Sequence, residues 1–110
     1  MKYARKTIIQ PEVFFEAEKI FEYIKSNSPI NADKFKKELL IQIEKTEAHP
    51  TANPPEIFLN RTRILYRYTI VMKSWKLIFK ITNKLLVFLS IVHTSQHPHA
   101  IQKLRTNKYD

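Results

Sequence analysis

The chemistry-bearing side chains of this 110-residue sequence are mostly cationic and aromatic: Arg61, Arg63, Arg67, Lys73, Lys76 and Lys80 are interleaved with Tyr66, Tyr68 and Trp75. Arginine and lysine neutralise phosphates, and aromatic rings stack on unpaired bases, so the set suits a nucleic acid or another anionic macromolecule. Neutralising about six phosphates would make affinity fall by roughly three orders of magnitude between about 50 and 200 mM salt. On a strand, Lys76 and Lys80 share one face with Ile78 and oppose Trp75 and Phe79. Such a mixed basic and apolar face also suits an amphipathic partner helix bearing Asp and Glu. The competing reading is lysines on a solvated face.

Other chemistries find less support. His93, His97 and His99 lie close together, and the His93–His97 spacing would suit a metal on a helix. Here the intervening residues end a strand and enter a loop at Pro98, with no Cys or carboxylate nearby. His93 therefore reads as a strand-end histidine in a hydrogen-bonding role, and no metal or cofactor is expected. After residue 55 the only carboxylates are Glu56 and Asp110. That leaves a Ser-His-Asp arrangement or a carboxylate pair without its parts. Glycine is absent, so glycine-rich phosphate loops are excluded, and the absence of cysteine excludes disulfides and thiolate metal sites.

Charge is distributed unevenly. Residues 1–55 hold nine Lys/Arg against eight Asp/Glu, a balance of +1, and residues 56–110 hold ten against two, a balance of +8. A field of that sign attracts nucleic acid or an acidic protein surface and speeds encounter with it. The first ten residues carry three basic side chains but no apolar core of a signal peptide. The longest apolar run, Leu85–Leu89, is far too short to span a bilayer. A single cytoplasmic domain over 1–110 is expected, with a tail from about 99 to 110.

The elements that must position these groups are legible from periodicity. Tyr3–Ile9 reads as a strand, with Thr7, Ile8 and Ile9 favouring the pleated state. Pro11 suits a first helical turn, and Val13, Ala17, Ile20, Phe21 and Ile24 form a helical stripe behind it. A break at 26–30 precedes a second helix, expected to be capped by Asn31 and to run to about Glu47. Its stripe is Ala32, Phe35, Leu39, Leu40 and Ile43. The proline-bearing segment 49–60 is a loop. Strands are then expected within 63–72, at 75–81 and at 85–93, with Thr82, Asn83 and Lys84 as a tight hairpin and Asn83 at positive φ.

The order β-α-α-β-β-β predicts an α+β fold, a helical hairpin packed on one face of a four-stranded, mainly antiparallel twisted sheet. The first strand should join at an edge or beside the last strand. Strict alternation puts Leu85, Val87, Leu89 and Ile91 on one face of the last strand and Leu86, Phe88 and Val92 on the other, interrupted only by Ser90. A strand apolar on both sides is normally covered on both, and the helices cover only one. The second cover must come from residues 100–104 or from a partner.

Several local patterns in this order resemble the RelE/ParE superfamily of type II toxin–antitoxin toxins. They are Phe21, Tyr23 and Ile24 ending the first helix; Ser28-Pro29; Ala32, Phe35, Leu39 and Ile43; Pro50; the strand Trp75–Ile81; and His93 followed by Pro98. The resemblance covers nearly the whole chain, about 3–98. The resemblance implies the β-α-α-β-β-β fold and a cognate antitoxin that wraps the toxin, the pair repressing its own operator DNA.

The end of the last strand looks more like the ParE branch, whose members poison DNA gyrase. That branch carries arginines after the histidine; here Thr94, Ser95, Gln96 and His97 stand instead. RelE-like members cut mRNA in the ribosome with Arg, Lys and a late Tyr, a role for which Arg61, Arg63 and Lys80 are the candidates. Target or nucleic-acid contacts are expected from Arg61, Arg63, Arg67, Lys73, Lys76, Lys80 and His93. Antitoxin contacts are expected from Trp75, Lys76, Ile78, Lys80, Leu86, Phe88 and Val92.

Overall fold

The computed structural model describes residues 5–52 and 65–95. The chain begins with strand β1 (Lys6–Ile9), followed by helices α1 (Pro11–Lys25) and α2 (Pro29–Ala48) and a short 3-10 turn at Pro50–Ala52. Strands β2 (Leu65–Val71), β3 (Trp75–Ile81) and β4 (Leu85–His93) complete a sheet of order β1-β4-β3-β2. β1 sits at an edge, parallel to β4, whereas β2–β3 and β3–β4 are antiparallel. This is the α+β architecture expected from the periodicity.

Pro11 occupies the first turn of α1, where its missing N–H costs no hydrogen bond. Val13 and Ile20 are buried, with Ala17 and Ile24 packed beside them, so the α1 stripe faces the sheet as read. The start of α2 differs from expectation. Ser28, not Asn31, is the N-cap: its Oγ accepts the Asn31 N–H at 3.2 Å, and Pro29 fills the first helical position. Leu40 also departs from the reading, being largely exposed while Ala32 and Phe35 are buried. It lies five residues past Phe35, off the buried stripe.

Helix-side packing joins Val13, Ile20 and Phe35 to Val71, Leu77, Phe79, Ile81, Leu86, Phe88 and Ile91. Phe79 and Phe88, directly paired across β3 and β4, hold their rings 5.7 Å apart at 54°. Polar ties fix both helices over the sheet. Gln42 donates to Glu38 at 2.9 Å and accepts from the buried Thr69 hydroxyl at 2.7 Å, anchoring α2 to β2.

The assignment of faces along β4 is corrected by a β-bulge. Ile78 pairs with Ser90 but Phe79 pairs with Phe88, so Leu89 is an extra residue. The insertion shifts the alternation: Ile91 joins the helix-side core, and Val92 packs with Leu85, Val87 and Leu89 on the outer side. The expected face sets therefore exchange Ile91 and Val92. Leu86 and Phe88 lie in the helix-side core rather than on the outer face.

The same region perturbs a carboxyl group, that of Glu16. β1 ends at Ile9, opposite Phe88, so among the described residues β4 runs on without a strand on that edge. Glu16 of α1 fills the place: its carboxylate accepts the Ile91 N–H at 2.8 Å and the Ser90 hydroxyl at 2.9 and 3.0 Å. Burial raises its pKa, Glu12 adds to the rise, and the bonds from Ile91 and Ser90 and the charge of Lys19 oppose it. A raised folded-state pKa contributes stability while the carboxyl is protonated, and that contribution is lost as pH rises through the folded value. Thermal melts of Glu16→Gln, which keeps an acceptor but never ionises, should therefore gain on those of the unmodified chain as pH rises from the ordinary glutamate range through the raised folded value. A difference independent of pH would contradict this assignment.

The turns also differ from the reading. Asn83 is not at positive φ; Met72 and Lys73 are, at 52° and 67°, in the loop joining β2 to β3. The β3–β4 loop is instead organised by Thr82, whose Oγ1 accepts the N–H groups of Lys84 and Leu85 at 3.3 and 3.0 Å.

Candidate functional site

Among the described residues, the basic side chains of the second half do not share one surface. Lys76 and Lys80 share the outer sheet face with Tyr66, Tyr68 and Ile78, because alternation along β2 and β3 puts them there. Their environments differ sharply. Lys80 is 0 % exposed, whereas Lys76 is half-buried with its Nζ 4.5 Å from the Tyr68 ring centroid. Arg67 shares parity with Thr69 and Val71 and therefore belongs to the opposite, helix-side face. Lys73 is exposed in the β2–β3 turn, and His93 is exposed at the end of β4. Arg61 and Arg63 lie outside the described residues, as do His97, His99 and the tail.

On the outer face, Ile78, Val87 and Leu89 are buried, although neither helix packs there. The expected surplus of apolar area is thus already withdrawn from water around these residues. The segment expected to supply the cover, 100–104, lies outside the described residues. The more open end of this face carries Tyr68, Ile70, Lys76 and Val92, with Ile70 36 % exposed.

At the same end of the sheet, on the helix side, three elements enclose a cleft of about 440 Å³. The last turn of α1 contributes Tyr23, the start of α2 contributes Asn31, and the β2–β3 turn contributes Met72 and Ser74. Trp75 and His93 close it, their rings 5.1 Å apart at 89°. The Ser95 N–H donates to His93 Nδ1 at 3.1 Å, and the Ser95 hydroxyl lies 2.7 Å from the same nitrogen. Because a backbone N–H only donates, Nδ1 is an acceptor and the neutral ring carries its proton on Nε2. Sequence reasoning found Trp75 and His93 but missed Tyr23, Asn31, Met72 and Ser74 as neighbours of them.

A family model described as the ParE toxin of type II toxin–antitoxin system, parDE, matches residues 8–98. The chain belongs to the ParE toxin family. A solved chain titled as the chromosomal ParDE TA system from P. aeruginosa shares the fold, with a TM-score of 0.66 at 11 % identity. That match covers 84 % of this chain and 98 % of the other. No curated protein matches the sequence.

In this ParE-family chain the elements that carried the resemblance are therefore arranged as the superfamily fold requires. The expected contact set for an antitoxin is split by the sheet. Lys76, Ile78, Lys80 and Val92 lie on the outer side, and Trp75, Leu86 and Phe88 pack on the helix side. Among the described residues no helix is long and apolar enough to cross a membrane.

Proposed function

We propose that this ParE-family chain is a toxin that inhibits DNA gyrase by binding, and that a cognate antitoxin holds it inactive. Family membership supports the toxin role. The burial of Lys80 carries the choice of binding over RNA cleavage. A cleavage site built on cations needs them convergent and open to the scissile phosphate. Here Lys80, the member of the candidate cleavage set among the described residues, is enclosed. The antitoxin's docking area is the open end of the outer face, where Tyr68, Ile70, Lys76 and Val92 offer apolar surface beside a positive charge. An amphipathic segment with acidic residues fits that surface.

Induction of the chain alone should arrest growth with DNA-damage signalling and intact messages, and co-expression of the neighbouring antitoxin gene should restore growth. Messages cut within codons during induction would favour the ribosome-dependent endoribonuclease instead. Normal growth on induction, with salt-sensitive nucleic-acid binding, would leave a non-toxic binding module.

A further inference from the structure

We infer that the cleft between α1, α2 and the β2–β3 turn is a binding site for a nucleoside phosphate, its base placed against Trp75 and its phosphate against the His93–Lys73 side. The inference does not depend on which machine the toxin inhibits. At about 440 Å³ the cleft falls within the size range of small-ligand sites and has room for one nucleotide. Tyr23 and Trp75 supply ring surface on which a base can stack.

Its polar chemistry favours an anion. Asn31, Ser74, Trp75 and Tyr23 can each donate a hydrogen bond, and among the described residues no acidic side chain lines the cleft. The Ser95 bond to Nδ1 leaves the Nε2–H of His93 as a further donor. Lys73, exposed on the turn between Met72 and Ser74, adds a full positive charge at the border.

The turn itself is held in an uncommon geometry. Met72 and Lys73 both occupy the left-handed region, each at a cost of about 1 kcal/mol for a residue with a side chain. Two backbone bonds keep it there: Ser74 N–H to the Met72 carbonyl at 2.7 Å, and Thr94 N–H to the Ser74 carbonyl at 2.9 Å. Consecutive positive-φ residues are the geometry of a tight hairpin turn, adopted here without glycine. The second bond ties the turn to the end of β4, so Ser74, Trp75 and His93 are positioned together before any ligand arrives.

Trp75 is the single tryptophan of the chain, so its fluorescence reports this cleft directly. The purified full-length chain should be titrated with AMP, adenosine, a short single-stranded oligodeoxyadenylate and polyglutamate. AMP and the oligonucleotide should quench saturably. Adenosine should bind about tenfold more weakly, reflecting the lost charge-assisted contact. Lys73→Glu should weaken AMP by about tenfold, while Lys84→Glu, in the distant β3–β4 turn, should stay within about twofold.

An oligonucleotide much tighter than AMP assigns the site to a nucleic-acid strand, and equal affinities assign it to a free nucleotide. Absence of saturable quenching, quenching by polyglutamate but not AMP, or unchanged AMP affinity in a folded Lys73→Glu variant would overturn the proposal.

Discussion

Phe88→Ala should lower the stability of the fold by about 4 kcal/mol, the largest effect expected from any single truncation here. The side chain has no exposed surface, meets Phe79 across the central strand pair, and belongs to the cluster that receives both helices. Removing it deletes apolar burial and leaves a cavity that the flanking backbone cannot close. β4 is held by β1 on one side and β3 on the other at this position. A domain of this size has only about 5–15 kcal/mol in total, so the loss should appear as a fall of roughly 20 °C in Tm.

Phe14→Ala is the control. Phe14 is 61 % exposed, and its truncation should change stability by less than about 0.5 kcal/mol. Urea unfolding of the two variants measures the contrast directly. Similar costs would mean that the helix-side core is misassigned.

Charge reversal on the outer face should be almost as decisive. Lys80→Glu should destabilise by about 3 kcal/mol or more, because a reversed charge is forced into an enclosed position that was organised around a cation. Lys76→Glu should cost about 1 kcal/mol or less, chiefly the lost attraction between the ammonium and the half-exposed Tyr68 ring. The functional consequences should invert. The Lys80 variant should lose toxicity in proportion to its lost folded population, while the Lys76 variant should fold normally and bind antitoxin more weakly. Equilibrium unfolding together with pull-down by the antitoxin separates the two effects. A Lys80→Glu protein as stable as the parent would show that the lysine is solvated after all.

Much of the architecture was legible in the sequence, for identifiable reasons. Val13, Ala17, Ile20 and Ile24 repeat at the helical period, and Trp75–Ile81 alternates, so element type followed from spacing alone. Lys76 and Lys80 were correctly paired on one face because parity within a strand needs no knowledge of its neighbours. What failed needed information from across the sheet. Leu85–Leu89 is a continuous apolar run, which carries no phase, so nothing local revealed the bulge that exchanges Ile91 and Val92.

Ser90 was the one hint. A hydroxyl in an apolar strand requires a partner, and Glu16, 74 residues earlier, supplies it. Turn residues misled in a similar way. Asn83 has the higher intrinsic preference for positive φ, yet the three-residue loop between the paired Val71 and Trp75 places Met72 and Lys73 in it. The cleft was unreadable because Tyr23, Asn31, Ser74 and His93 come from four segments brought together only by the packed fold.

Inhibition of gyrase by a bound protein is the central proposal for this chain's toxicity. The direct measurement is DNA supercoiling by purified gyrase in the presence of increasing amounts of the purified chain, with RNA-free components throughout. Loss of supercoiling with rising toxin, restored when antitoxin is added beforehand, is the predicted result. Undiminished supercoiling at a large excess of folded toxin, alongside growth arrest in cells, would contradict it.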